Sequence, residues 1–136
     1  MHKTIGIIVL SLYVAVLAVF AAAELLYQNG KARGNMRELR MAAALNPFIS
    51  DYRYAIFDKG DPKDMGSIKE AIRLEPLKAS YHMFYAFELL RDLNKRTIAS
   101  DQVAFHEIKR AYELKPYSNN YRQIYEQYAK PNLGHS

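Results

Sequence analysis

At 136 residues, with a net charge of +5 and no cysteine, the chain is expected to form one small folded domain, and neither a disulfide framework nor a thiolate zinc site is open to it. Basic and acidic residues beyond position 40 are intermixed, and most of the eleven tyrosines fall at helical spacings that put them between helices. A nucleic-acid surface would need a basic stripe interleaved with exposed aromatics, so nucleic acid is not expected as a partner.

The first element runs from Thr4 to Ala23, a stretch free of charged residues and long enough to cross a bilayer core as a helix. It predicts a transmembrane anchor helix over 1–29. Lys3, the apolar run and Ala21-Ala22-Ala23 before Glu24 also match a secretory signal with cleavage at Ala23, which leaves a secreted binding module as a rival reading. A retained, single-pass anchor is the expectation. Lys31, Arg33, Arg37 and Arg40 follow the span, which by the positive-inside rule favours a cytoplasmic domain. The short basic tail before the span favours export, and an extracytoplasmic repeat domain, periplasmic in a bacterium, is expected. Ser11, Ala15, Ala18 and Ala22 share one face of this helix and are candidates for packing against another transmembrane helix. The four basic residues Lys31, Arg33, Arg37 and Arg40 are candidates for lipid head groups.

Gln28 to Gly34 is polar and carries two glycines, and 30–34 reads as a hinge or as a frayed continuation of the helix. Beyond it one pattern returns three times: Ala42-x-x-Leu45-x-Pro47 with Tyr52, Ala71-x-x-Leu74-x-Pro76 with Tyr81, and Ala111-x-x-Leu114-x-Pro116 with Tyr121. A recurring unit of this size cannot bury its apolar face alone and predicts stacked helical pairs. Met36, Leu39, Ala42, Ala43 and Leu45 share one helical side, and Pro47 ends that helix. The same side recurs before Pro76 and before Pro116. After each proline a second helix type begins, where Ser50, Ser80 and Ser118 offer capping oxygens. Gly60 and Pro62 mark one turn, and Ser100 or Asp101 is expected to cap the helix after the other. The chain therefore reads as all-α, a leading helix, two complete pairs and a closing helix over 35–130, with a tail over 131–136.

The Ala-x-x-Leu-x-Pro endings and the Tyr52-Arg53-Tyr54-Ala55 helix start resemble the tetratricopeptide repeat family over about residues 35 to 130. The family's Leu-Gly pair is replaced by Ile56-Phe57, Tyr85-Ala86 and Tyr125-Glu126, and the prolines are 29 and 40 residues apart. The resemblance implies a short TPR-like stack of antiparallel helix pairs whose first helices line a concave side. Asp51, Tyr54 and Asp58, then Ser80, Met83 and Phe87, then Asn120, Gln123 and Gln127 are the positions it places there. Of these, Tyr54, Asp58, Ser80, Met83, Phe87 and Gln123 are the candidate partner-binding residues, with a protein segment as the expected ligand. Arg53, His82 and Arg122 each follow a repeat tyrosine, and pairing with nearby groups is the expectation for them.

Catalytic machinery is not legible. His2, His82, His106 and His135 lack metal-pair spacing, and there is no phosphate loop, serine elbow or cysteine nucleophile. No cofactor, metal or small-molecule substrate is expected. The function implied is a membrane-anchored, non-catalytic accessory or assembly subunit that binds other membrane protein subunits. A filament subunit with bundled N-terminal helices is a further rival. It is disfavoured because the glutamate that resemblance to type IV pilins would require is missing, Ser11 lying five residues after Gly6.

Overall fold

The structure is a computed structural model that describes residues 2–61, 63–91, 93–94 and 96–133, with side chains from Thr4 onward. Pro62, the side chains of His2 and Lys3, and positions 134–136 of the expected tail, His135 among them, lie outside the described residues. Among the described residues the fold is all-α: α1 (His2–Arg33), α2 (Met36–Leu45), α3 (Ser50–Lys59), α4 (Met65–Leu74), α5 (Ala79–Arg91), α6 (Ile98–Leu114), α7 (Asn119–Ile124) and α8 (Lys130–Leu133). A π-helical turn over Tyr125–Ala129 joins the last two.

The long first helix is apolar enough to span a membrane, with a mean hydropathy of 2.7 in its most apolar stretch and none of that stretch covered by protein. Its 32 residues exceed what a bilayer core of about 30 Å needs. The surplus is used in the fold. Ala23 is fully buried and Tyr27 nearly so, in one core cluster with Leu39, Ala42, Tyr52 and Ile56. The end of α1 therefore pairs with α2, the helix that the sequence presented as an unpaired leader.

No hinge occupies 30–34, because α1 is helical through Arg33. The two glycines have separate causes. Gly34 lies at φ +66°, the left-handed region that favours glycine, and the Asn35 N–H closes on the Gly30 carbonyl at 2.9 Å, a helix-ending turn. Gly30 is a contact point: a Cβ there would stand 3.0 Å from both the Leu39 side chain and the Leu39 backbone nitrogen.

α3 packs on α4 and α5 on α6 in the same manner, so three hairpins stand in series. Their antiparallel sense shows in cross-helix contacts, Ser50 to Glu75 in one and His82 to Glu107 in another. The recurring alanine explains itself here: Ala42, Ala71 and Ala111 are all fully buried, where only a methyl group fits between neighbouring helices. The recurring tyrosine is the bulky counterpart, with Tyr52 and Tyr81 buried and Tyr121 half-buried. The recurring leucine is less internal than its spacing suggests, and Leu45 remains exposed.

Local capping differs in part from expectation. Asn35, Asp64 and Ser118 cap α2, α4 and α7 with side-chain oxygens, while Thr97 and Ser100 cap α6 reciprocally. Ser50 does not cap α3, since it is already the first helical residue and its hydroxyl donates to Glu75 at 2.6 Å. The π turn has its own cause in Pro131, which has no N–H to offer the helix and whose ring would collide with the carbonyl four residues back. The helix widens just ahead of it, and the Lys130 N–H reaches five residues back to Tyr125.

Candidate functional site

α3 and α5 lie side by side, and their facing residues form two zones. The polar zone joins Ser50, Asp51, Glu75, Lys78 and Tyr81. Tyr81 donates its hydroxyl to Asp51 at 2.5 Å, and Lys78 pairs with Asp51 at 2.7 Å and with Glu75 at 3.3 Å. The Lys78 ammonium and then the Tyr81 hydroxyl hold the Asp51 carboxyl below its ordinary value. Burial and the Asp51 carboxylate push the Tyr81 hydroxyl up to about 12. Every group in the zone has a partner, so the zone fastens two hairpins together. Among the described residues, no group of three or more histidine and carboxylate side chains is arranged to hold a metal ion.

The second zone is aromatic. Tyr54, half-buried, stacks on Tyr81 at 5.1 Å and on Phe84 at 5.3 Å between ring centroids. Phe87, one turn further along α5, is 44% exposed. It opens a groove of about 660 Å³ between α5 and the C-terminal helix. Leu90, Ile108, Ile124 and Tyr128 supply its apolar wall, and Glu88, Arg91, Gln123 and Gln127 its polar edge. The π turn contributes Gln127 and Tyr128, so the widened helix shapes one side of the groove. Tyr125, the first residue of that turn, stacks on Tyr112 of α6 at 4.8 Å with the rings 4° from parallel, which fixes it in place.

Of the candidate partner-binding residues, Phe87 and Gln123 are brought together in this groove. Tyr54 lies beside it on the aromatic zone, and Ser80 is half-buried near the start of α5. Asp58 is exposed on α3, paired with its neighbour Lys59 at 3.3 Å. Met83 is a correction: it is 3% exposed and packs in the core with Ala79, Ala86 and Ile108. The face of α5 that looks outward carries Phe84 in its place. Alanines at 79 and 86 mark the contact face one position over, and that spacing was the available signal. Tyr128 was missed because it lies within the widened turn, and Leu90 on α5 and Ile124 on α7 because they fall outside the positions that the resemblance placed on the concave side.

Two of the three basic positions after a repeat tyrosine serve the turns, whereas the Arg53 Nε is buried without a hydrogen-bond partner among the described residues. His82 is buried, with Nε2 2.9 Å from the Pro76 carbonyl and Nδ1 2.5 Å from Glu107. Burial works against a charged ring, but the Glu107 carboxylate and the Pro76 carbonyl outweigh it and hold the imidazole above its ordinary value. Arg122 donates to the Pro116 carbonyl at 3.1 Å, the same six-residue reach.

The candidates on α1 are placed as follows. Ser11, Ala15, Ala18 and Ala22 are all exposed. Lys31 and Arg33 end α1 and Arg37 and Arg40 lie in the first half of α2, all four exposed and within about 15 Å along the axis beyond Ala23 at helical rise.

The molecule is thus an all-α stack of helical hairpins built onto the end of one long apolar helix. No protein-family model matches the chain, and no curated protein matches it.

Proposed function

We propose that this chain is a membrane-anchored scaffold of the TPR-like kind, a non-catalytic accessory or assembly subunit that holds a segment of another membrane protein. The groove between α5 and the C-terminal helix carries the reading. It is apolar along its wall, amide-lined and charged at its edge, and large enough to take the side chains of a docked helix or extended strand. The exposed stripe Ser11, Ala15, Ala18 and Ala22 supports a second contact with the partner within the bilayer. Retention of the anchor is supported by Ala23 and Glu24. Ala23 is a core residue, and Glu24 accepts a hydrogen bond from Tyr52 at 2.8 Å. Cleavage at Ala23 would remove the first and leave the second at a frayed end. On this reading the repeat block stands on the extracytoplasmic side, for which the short basic tail before the span is the support.

Photo-crosslinking side chains at Phe87 and Gln123, compared with the exposed α6 position Gln102, test the reading in native membranes. One dominant adduct at the first two sites and none at Gln102 is expected. Equal labelling at all three sites would sink the groove as a docking site. An intact mass beginning at Glu24 would replace the anchored scaffold by a secreted module.

A further inference from the structure

Each hairpin-to-hairpin turn carries a large apolar side chain immediately after its proline, and each is held out of the fold. Phe48 is 76% exposed, Leu77 71% and Tyr117 92%. The three turns connect α2 to α3, α4 to α5 and α6 to α7, so the alternation of antiparallel helices sets them all at one end of the stack.

That end is the one facing the apolar run of α1. α2 returns alongside α1 with Leu39 against Gly30, and counting along both helices sets Leu45, the last residue of α2, opposite Glu24, with the Phe48 turn just beyond it toward the apolar run. A second, independent register agrees. Tyr52 meets Glu24 and its ring lies 4.7 Å from that of Tyr27, which places Phe48, one turn earlier, beside the same stretch of α1. Tyr81 and Phe84 in turn face Ser50, Asp51 and Tyr54, so Leu77 stands level with Phe48. Because α1 has no hinge, these levels are fixed relative to the span.

We propose that the Phe48 and Leu77 turns, with Tyr117 at the far end of the row, dip into the lipid interface and seat the hairpin block against the bilayer surface. The inference rests on the membrane-anchored reading above. Lipid is the occupant because the tips lie level with the end of the charge-free run, where an interface begins if α1 spans. Aromatic and aliphatic side chains are the kind that settle a few ångströms into that layer. The nearest carboxylates do not oppose it. Glu75 is taken by Ser50 and Lys78, and Asp51 by Lys78 and Tyr81. The four basic residues at the other end are left facing water.

The chain has no tryptophan, so single replacements report without background. The full chain is reconstituted in phosphatidylcholine vesicles containing lipids brominated on the acyl chains. Leu12→Trp, Phe48→Trp, Leu77→Trp and Arg37→Trp are compared for loss of emission to bromine and to aqueous acrylamide. The expected result is loss to bromine and blue-shifted emission at positions 12, 48 and 77, with loss to acrylamide only at 37. Loss to bromine at 12 with acrylamide quenching at 48 and 77 like that at 37 would overturn the inference and leave the anchor standing. Protection of 48 and 77 from both quenchers would also overturn it, because protein would then cover the tips. No loss to bromine at 12 would overturn the anchor and the inference together.

Discussion

The hydroxyl of Tyr52 donates to the carboxylate of Glu24 across 2.8 Å, and this bond ties the second hairpin to the helix that also carries the apolar run. Burial, with the Glu24 bond second, pushes the Tyr52 hydroxyl up to about 12, so it stays a donor at any physiological pH. Tyr52→Phe is expected to lower stability by about 1 kcal/mol, the usual net worth of such a bond. In a double-mutant cycle with Glu24→Ala the coupling should be of the same size. Chemical denaturation in detergent reads it, and a coupling of zero would mean the bond contributes nothing.

Gly30 and Gly34 should respond to alanine for different reasons. At Gly30 the added methyl meets the backbone of Leu39, so Gly30→Ala is expected to cost about 1–3 kcal/mol by overpacking. At Gly34 the space is open and only the left-handed backbone resists, so Gly34→Ala is expected to cost about 1–2 kcal/mol. Thermal melts of the two variants check both. A flexible hinge at 30–34 would leave the melting temperature unchanged in both.

Met83 and Phe87 lie one turn apart on α5 with opposite exposures. Met83→Ala should destabilise by about 2–5 kcal/mol through a core cavity. Phe87→Ser should change stability by no more than about 0.5 kcal/mol and should abolish the crosslinked adduct at Gln123. Loss of the adduct in a variant that melts normally separates docking from folding.

Two cross-helix pairs, one around the buried His82 and one around the largely exposed Asp51, set opposite pH limits. The His82 ring is held above its ordinary 6.5, so the charged ring stabilises the fold fully below that value, and the gain is lost as pH rises through the raised value. Asp51 is held below its ordinary 3.8, so its contribution is complete above that value and disappears as pH falls through the lowered one. His82→Gln should remove the alkaline loss while the acid loss persists. Melting temperature against pH, measured for both proteins, shows whether the two limbs separate in this way.

The hairpin pattern was legible because its signals are local. Alanine recurs where two helix backbones touch, and proline ends each second helix. What escaped depends on contacts distant in sequence. Gly30 reads as a break, yet it is the point where α2 crosses α1, and only the position of Leu39 reveals that. Glu24 looks like the residue after a span, and its bond to Tyr52 is 28 residues away. The choice between Met83 and Phe84 as the outward residue was a matter of one position, decided by which side of α5 the alanines face. The widened turn at Tyr125–Ala129 leaves no mark except Pro131, which alone does not say whether a helix kinks, ends or bulges.

The continuity of α1 from apolar run to hairpin stack is tested most directly by the distance between spin labels at Val16 on α1 and Gln102 on α6, introduced as cysteines into this cysteine-free chain and measured in lipid nanodiscs. A single narrow distance distribution is predicted, unchanged when glycine residues are not touched and broadened by Gly30→Ala. A broad distribution in the unaltered sequence would contradict it, because the span and the stack would then move independently about a hinge.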